Sequence, residues 1–341
     1  MDEEPTTRED YEMLALSKRD IQNLISMGDA IELVKTAFYE LREGRAVVPL
    51  RSSVEIAPGS AMLLLMPAYM PGLPALGFKA VSIFQENGRR NVPTANAMVC
   101  MIDPQTGVPA AVLNGAYLTA LRTGAVSGAS AQLMAREDAK NLVVIGAGAQ
   151  GVTQAAAVCE VRDIDKITVV YRREASWKSY RDAIVEDWPH LRDRLSGTDD
   201  VEKAVREADI VCLATTSRTP VFEDAWIKKG THVSGVGSFT PYMQEVPSDF
   251  VARSRVVLDM KEHALEEAGD LIIPLRDGVI SEDQIVGELG DVVAGTLMPR
   301  ENDMDVTFFK SVGNAVQDMA VANAAVLRAQ EQGVGQQIDL G

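Results

Sequence analysis

A wholly apolar run, Leu142-Val143-Val144-Ile145, ends in Gly146-Ala147-Gly148-Ala149-Gln150-Gly151 and passes into a helical stretch over 152–158. An apolar run without polar alternation belongs to a strand covered on both faces, which places it inside a parallel sheet. The sequence downstream keeps the pattern. Strands are predicted at 142–145, 167–171, 210–214, 232–236 and 255–259, with helical segments between them, and this alternation to about residue 300 predicts an α/β, doubly wound parallel sheet of Rossmann type.

In that setting the three glycines have separate tasks. Gly146 permits the tight turn, Gly148 lets the backbone approach a pyrophosphate, and Gly151 lets helix pack on strand while the helix N-terminal amides face the phosphates. Gly146, Gly148, Ala149, Gln150 and Gly151 are therefore candidates for binding a dinucleotide. A plain structural turn is the alternative, and the strand before and helix after argue against it.

About twenty residues on, an acid at the end of the second strand would mark NAD by bonding its free ribose hydroxyl. The chain instead reads Val169-Val170-Tyr171-Arg172-Arg173. Arg172 and Arg173 suit the 2′-phosphate of NADP through charge-assisted bonds, so NADP(H) is favoured and NAD(H) is possible. Their alternative role is as solvated loop charges, with Glu174 serving the helix start. Thr215 and Gly237 fall where parallel strands end, and both are expected to border the cofactor.

The front of the chain follows another rule. Short apolar or alternating runs at 47–56, 61–66, 75–84, 97–102 and 109–113, punctuated by turns such as Asp103-Pro104-Gln105-Thr106-Gly107, predict a mostly antiparallel sheet. Ahead of it, beyond a polar tail, Ser17 with Asp20 and Ser26 with Asp29 resemble capping boxes and start two helices. The second carries Ile31, Val34, Phe38 and Leu41 on one face and stops at Gly44. A helix is predicted at 118–137, a late strand at 305–309, and an alanine-rich helix at 315–330 apolar enough to need a packing partner, which the first domain would supply.

Charge excludes some partners. With 33 basic against 49 acidic residues the net charge is −16, which repels nucleic acid and anionic membrane surfaces. Cys100, Cys159 and Cys212 lie far apart and are read as buried thiols of a reducing cytoplasm. His190, His232 and His263 are equally scattered, so neither a metal site nor a serine-histidine-aspartate triad is expected. The acidic start, Met1-Asp2-Glu3-Glu4-Pro5, is unlike a signal peptide, and no run reaches membrane-spanning length, so a soluble cytoplasmic protein is expected.

Several motifs in order give the chain a specific resemblance: Gly77-Phe78-Lys79, Leu118-Thr119-Ala120-Leu121-Arg122-Thr123-Gly124-Ala125, Gly287-Glu288-Leu289-Gly290, and Phe308-Phe309-Lys310-Ser311-Val312-Gly313. Over nearly its whole length the chain resembles the ornithine cyclodeaminase/mu-crystallin family. The resemblance implies a homodimer joined through the N-terminal domain. It also implies a substrate-binding and dimerisation domain over 1–120 plus 312–341 and a Rossmann dinucleotide-binding domain over 121–311. It places Arg51, Lys79 and Arg122 in the substrate pocket as the catalytic set, with Thr123, Lys310 and Val312 beside the cofactor.

Those residue types suit an α-imino or α-amino acid. Arg51 and Arg122 offer planar forks of donors to its carboxylate. Lys79 stands in an apolar strand, where its charge must reach water, find a carboxylate or work in a site. Structural roles are also open to them: a sheet-edge charge for Arg51, contact with cofactor phosphates for Arg122, a salt bridge for Lys79. Met66, Thr94 and Phe239 complete the substrate-binding candidates.

The chain departs from the cyclodeaminases at one place. The resemblance puts their catalytic aspartate at Phe239, and a phenyl ring cannot act as a base. An NAD(P)H-dependent reductase of a small α-ketimine, or an amino acid dehydrogenase in reverse, is the leading expectation. An ornithine or lysine cyclodeaminase with bound NAD, and a non-catalytic crystallin-like binder of NADP and a small carboxylate, are the alternatives.

Overall fold

The alternating runs at the front of the chain pair into a sheet in a computed structural model that describes residues 12–57, 60–90 and 92–339. Strand β1 (Glu12–Leu16) leads into α1 (Lys18–Leu24), which starts with the expected capping box between Ser17 and Asp20. Strands β2 (Ser52–Ala57), β3 (Ala61–Met70), β4 (Ala75–Phe84), β5 (Ala95–Ile102) and β6 (Pro109–Asn114) then form an antiparallel meander. The strand expected from residue 47 begins only at Ser52, with Val47 making a single bridge to Tyr69.

A parallel sheet follows. Its elements are β7 (Asn141–Ile145), α4 (Ala149–Val161), β8 (Lys166–Val170), α5 (Glu174–Asp187), β9 (Leu195–Thr198), α6 (Val201–Glu207), β10 (Ile210–Leu213) and β11 (His232–Gly235). The chain goes on through α7 (Ser248–Arg253), β12 (Arg255–Leu258), α8 (Lys261–Glu267), α9 (Gly269–Arg276), β13 (Ile285–Glu288), α10 (Leu289–Val293) and β14 (Thr307–Lys310). All eight strands run parallel in the order β13-β12-β14-β11-β10-β7-β8-β9. Residues of β7, β10, β11, β12 and β14 are almost all buried, which is why their sequences are continuous apolar runs.

The last elements are α11 (Ala315–Gln332) and β15 (Gln336–Asp339). Strand β15 pairs with β1, which completes a seven-stranded sheet in the order β15-β1-β6-β5-β4-β3-β2. From Asp318 onward α11 packs with this sheet, as its apolar composition requires: Asn323 Nδ2 donates to Leu73 O at 2.7 Å and Arg328 Nη1 to Leu24 O at 2.7 Å.

Two compact units result, one of Met1–Ser26, Arg45–Thr119 and Asp318–Gly341, the other of Met27–Gly44 and Ala120–Gln317. Helix α2 (Met27–Arg42) groups with the parallel sheet, whereas its place in the sequence suggested the first domain. The reason lies in its contacts. It packs against α10 and α4, and Gly290 of α10 sits so close that a Cβ there would press on Phe38 O and Arg42 Cβ. Arg42 Nε also donates to Asp291 Oδ1 at 3.1 Å. In α3 (Gly115–Met134), Gly124 and Gly128 likewise let the helix lie against Thr153 and Ala157 of α4. Strands β1, β9, β13 and β15 were not foreseen, because each is short and only partly buried and so lacks the apolar run that marks a central strand. The cysteines differ from expectation too: Cys212 is buried, but Cys100 and Cys159 are half-buried, and all three are free thiols. Burial pushes the Cys159 thiol up to about 12.

Candidate functional site

The glycines of the turn differ in what surrounds them. Gly146 has φ +121°, and a Cβ on it would collide with the carbonyl oxygen of Ala214. At Gly151 a Cβ would strike the Gly146 carbonyl and the Val144 side chain, so only glycine lets α4 begin this close to β7. Gly148 is the opposite case. Among the described residues, and apart from its chain neighbours, nothing lies within 4 Å of where its Cβ would stand, so this side of the turn is open.

The turn borders a cavity of about 680 Å³. Gly146, Gly148, Thr215, Arg172 and Arg173 all line it with the segment around Ser217, together with Tyr171, Ser176 and Asp199, which sequence reasoning did not single out. Their signal was positional: Tyr171 and Asp199 directly follow the carboxyl ends of β8 and β9, and Ser176 lies in the first turn of the helix after β8. Arg172 and Arg173 are exposed at the end of β8, with their guanidinium groups available to an anion. Ala149 and Gln150 form the first turn of α4, where helix amides lack intrahelical partners.

Three buried carboxylates brace the segments that follow the parallel strands. Glu245 accepts from Thr215 N at 2.7 Å, Gly237 N at 2.7 Å and Ser238 N at 3.1 Å, tying together the segments after β10 and β11. Burial pushes its carboxyl up, while nearby Lys310 pulls it down. Asp270 accepts from Glu245 N and Val246 N at 2.6 and 3.1 Å. Asp259 accepts from Ser311 Oγ, Val312 N and Gly313 N at 2.7, 3.0 and 2.9 Å, which fixes the turn after β14. Sequence reasoning missed all three, since an acid that serves distant backbone amides leaves no local pattern.

Lys310, expected beside the cofactor, is fully buried with Nζ 3.1 Å from Asp270 Oδ2, although the pair is poorly aligned as a hydrogen bond. Its ammonium is occupied inside the unit. Val312 is buried in the turn held by Asp259, and Thr123 is buried within α3. Phe239 is half-buried against the apolar core of this unit. Close by, Glu245 and Asp270 hold backbone amides.

Arg122 belongs to the same unit and is 5% exposed, with Nη1 donating to Gln317 Oε1 at 2.6 Å. Gly313 explains the fit, since a Cβ there would press on the guanidinium. The antiparallel unit holds Arg51, Met66, Lys79 and Thr94. Lys79 lies in β4 between Met66 of β3 and Val99 of β5, 1% exposed, and its Nζ donates to Asp318 Oδ2 at 2.7 Å. Of the fates open to a lysine in an apolar strand, it has found a carboxylate. Arg51 is half-buried just before β2, and Thr94, also half-buried, accepts from Phe84 N through its carbonyl at 2.8 Å.

A doubly wound parallel sheet with a preformed glycine cradle, joined in one chain to a sheet that buries a lysine, defines a Rossmann-type dinucleotide-binding protein of two units. More particularly, the chain belongs to the ornithine cyclodeaminase/mu-crystallin family, whose model matches residues 11–333. Among its relatives is a Delta(1)-pyrroline-2-carboxylate reductase of Bacillus cereus, 40% identical over 328 residues that make up 96% of this chain and 100% of the relative. The structure of the Thermococcus litoralis Delta(1)-pyrroline-2-carboxylate reductase in complex with NADH and L-proline is 40% identical, covers 96% of this chain and 100% of its own, and superposes with a TM-score of 0.91. An archaeal alanine dehydrogenase dimer with bound NAD is 32% identical over 97% of this chain and 100% of its own, with a TM-score of 0.88. Among the described residues no helix is long and apolar enough to cross a membrane, and no group of three His, Cys, Asp or Glu is placed to hold a metal ion.

Proposed function

We propose that this protein is an NAD(P)H-dependent reductase of a small α-imino acid, a cyclic ketimine such as pyrroline-2-carboxylate before a linear one, giving the L-amino acid. The observation that carries the proposal is the open dinucleotide cradle in a chain 40% identical to pyrroline-2-carboxylate reductases, and the resemblance puts the cyclodeaminases' catalytic aspartate at Phe239. Bound in the cradle, the reduced nicotinamide supplies the hydride. The chain's residues do the rest: Arg51 and Arg122 hold the substrate carboxylate, and Lys79 Nζ gives a proton to the imine nitrogen and regains one from water. Met66, Thr94 and Phe239 shape the space for the rest of the substrate.

Arg172 and Arg173 on the cavity wall support NADPH as the preferred donor. The solved relatives hold NADH or NAD, so NADH is the second candidate. A homodimer through the antiparallel unit is also part of the proposal. One face of that sheet exposes Val54, Ile56, Leu65, Tyr69 and Met98, an apolar surface a second copy would cover. The cytoplasm is the proposed location, in keeping with the free thiols.

The test is to follow nicotinamide absorbance with purified protein, NADPH or NADH, and pyrroline-2-carboxylate, piperideine-2-carboxylate or iminopyruvate. Cofactor oxidation with one of them is expected. No oxidation with any, alongside ammonia release from ornithine or lysine, supports the cyclodeaminase instead. Binding of NADPH with neither reaction supports the crystallin-like reading.

A further inference from the structure

The Lys79 pair is more than a way of burying a charge. Replacing a buried ion pair with apolar side chains of similar volume is often neutral or stabilising, so packing alone does not explain a lysine and an aspartate joined inside an apolar face. Along the sheet, Met66 and Val99 flank Lys79 on the neighbouring strands, and both are buried. On the helix side stands Asp318, fully buried in the first turn of α11, where free amides favour negative charge. Its position is fixed by close packing. A Cβ on Gly77, two residues before Lys79, would meet Cys100 O and the Met319 sulfur, so α11 lies hard against β4 beside the pair.

We infer that Asp318 is the positioning residue of the reaction, holding the Lys79 ammonium charged and aimed for proton delivery to the imine nitrogen. The inference rests on the imine-reductase reading. The carboxylate does not touch the substrate and takes no proton in the cycle. Its work is to offset the desolvation that burial imposes on the ammonium and to restrict the lysine's flexible stem to one direction.

The test compares the wild-type protein with D318N, D318E, K79M and the K79M/D318N double variant. The readouts are imine reduction from pH 6 to 10, NADPH binding by fluorescence, and thermal unfolding. Removing the carboxylate's charge makes the ammonium harder to keep, so the alkaline limb of kcat/KM should move to lower pH in D318N, with kcat down about 10²-fold and NADPH binding unchanged. D318E should recover part of the rate, and D318N should cost nothing further in the K79M background. An alkaline limb at the wild-type pH, or losses from the two substitutions that multiply, would overturn the inference. If D318N does not fold, the D318E profile and the comparison of K79M with the double variant decide in the same way. A wild-type protein that oxidises NADPH with an unmoved limb in the variants refutes the positioning role alone, whereas a wild type that reduces no imine refutes the reaction and this role with it.

Discussion

Each unit of this protein buries one lysine against one aspartate, and the two pairs differ in what surrounds them. Lys310 lies 3.1 Å from Asp270, whose other oxygen already accepts two backbone amides, in a web that also holds Glu245. Lys79 donates to Asp318 at 2.7 Å, between two apolar neighbours on adjoining strands. The first pair is bound into the scaffold that shapes the loops after β10 and β11. The second is the pair to which the proposed reaction assigns proton delivery. Burial and pairing are common to both lysines; what lies around each pair differs.

The largest expected effect comes from breaking the second pair. K79A should lower imine reduction by about 10²- to 10⁴-fold while NADPH still binds. Measured by single-turnover absorbance and fluorescence titration, an unchanged rate would remove Lys79 from the chemistry. Breaking the first pair should instead show in stability. K310A leaves the Asp270 charge buried without its cation, and denaturant unfolding should register a loss of about 3–5 kcal/mol. A loss below about 1 kcal/mol would mean that the web holds without Lys310.

A third buried ionisable group sharpens the contrast by having no charge to place. His232 is fully buried, with Nε2 3.2 Å from Ser130 Oγ and Nδ1 2.9 Å from Thr307 Oγ1. Burial, then repulsion from Arg300 and Arg162, lowers its pKa to about 3. The folded value lies below the ordinary one near 6.5, so the neutral ring stabilises the protein above that pH and the contribution is lost as pH falls toward 3. By pH 5 the loss should reach about 2 kcal/mol. A H232N variant should show a flatter profile of unfolding free energy over this range, and an identical profile would refute the assignment.

The smallest effect concerns the cofactor. Replacing Arg172 and Arg173 with glutamine should reduce the preference for NADPH over NADH by about tenfold, the scale of one charge-assisted contact, with little change in unfolding. A preference that does not move would return both arginines to the solvent.

The same contrast explains what could be read from the sequence. The glycine cradle was legible because its parts are consecutive: strand, three glycines and helix carry their geometry in local spacing, and Gly146, Gly148 and Gly151 meet the three demands separately. Continuous apolar runs marked β7, β8, β10, β11 and β12 to within a residue or so. Motif glycines such as Gly124 and Gly290 were noticed, but their reason, close helix packing, needed three dimensions. Lys79 announced itself as a charge in an apolar strand, yet nothing in the sequence named a partner 239 positions away. Gln317 on Arg122 and Glu245 on three backbone amides were hidden for the same cause. Helix α2 was misplaced because sequence order suggested one unit and its apolar face served the other.

The central claim, hydride transfer to an imine carbon, is most directly tested with a reduced nicotinamide carrying deuterium at C4. Incubated with this protein and pyrroline-2-carboxylate, it should yield L-proline labelled at the α-carbon by mass spectrometry and NMR. An unlabelled product, or ammonia released from ornithine with the cofactor's label retained, would contradict the account.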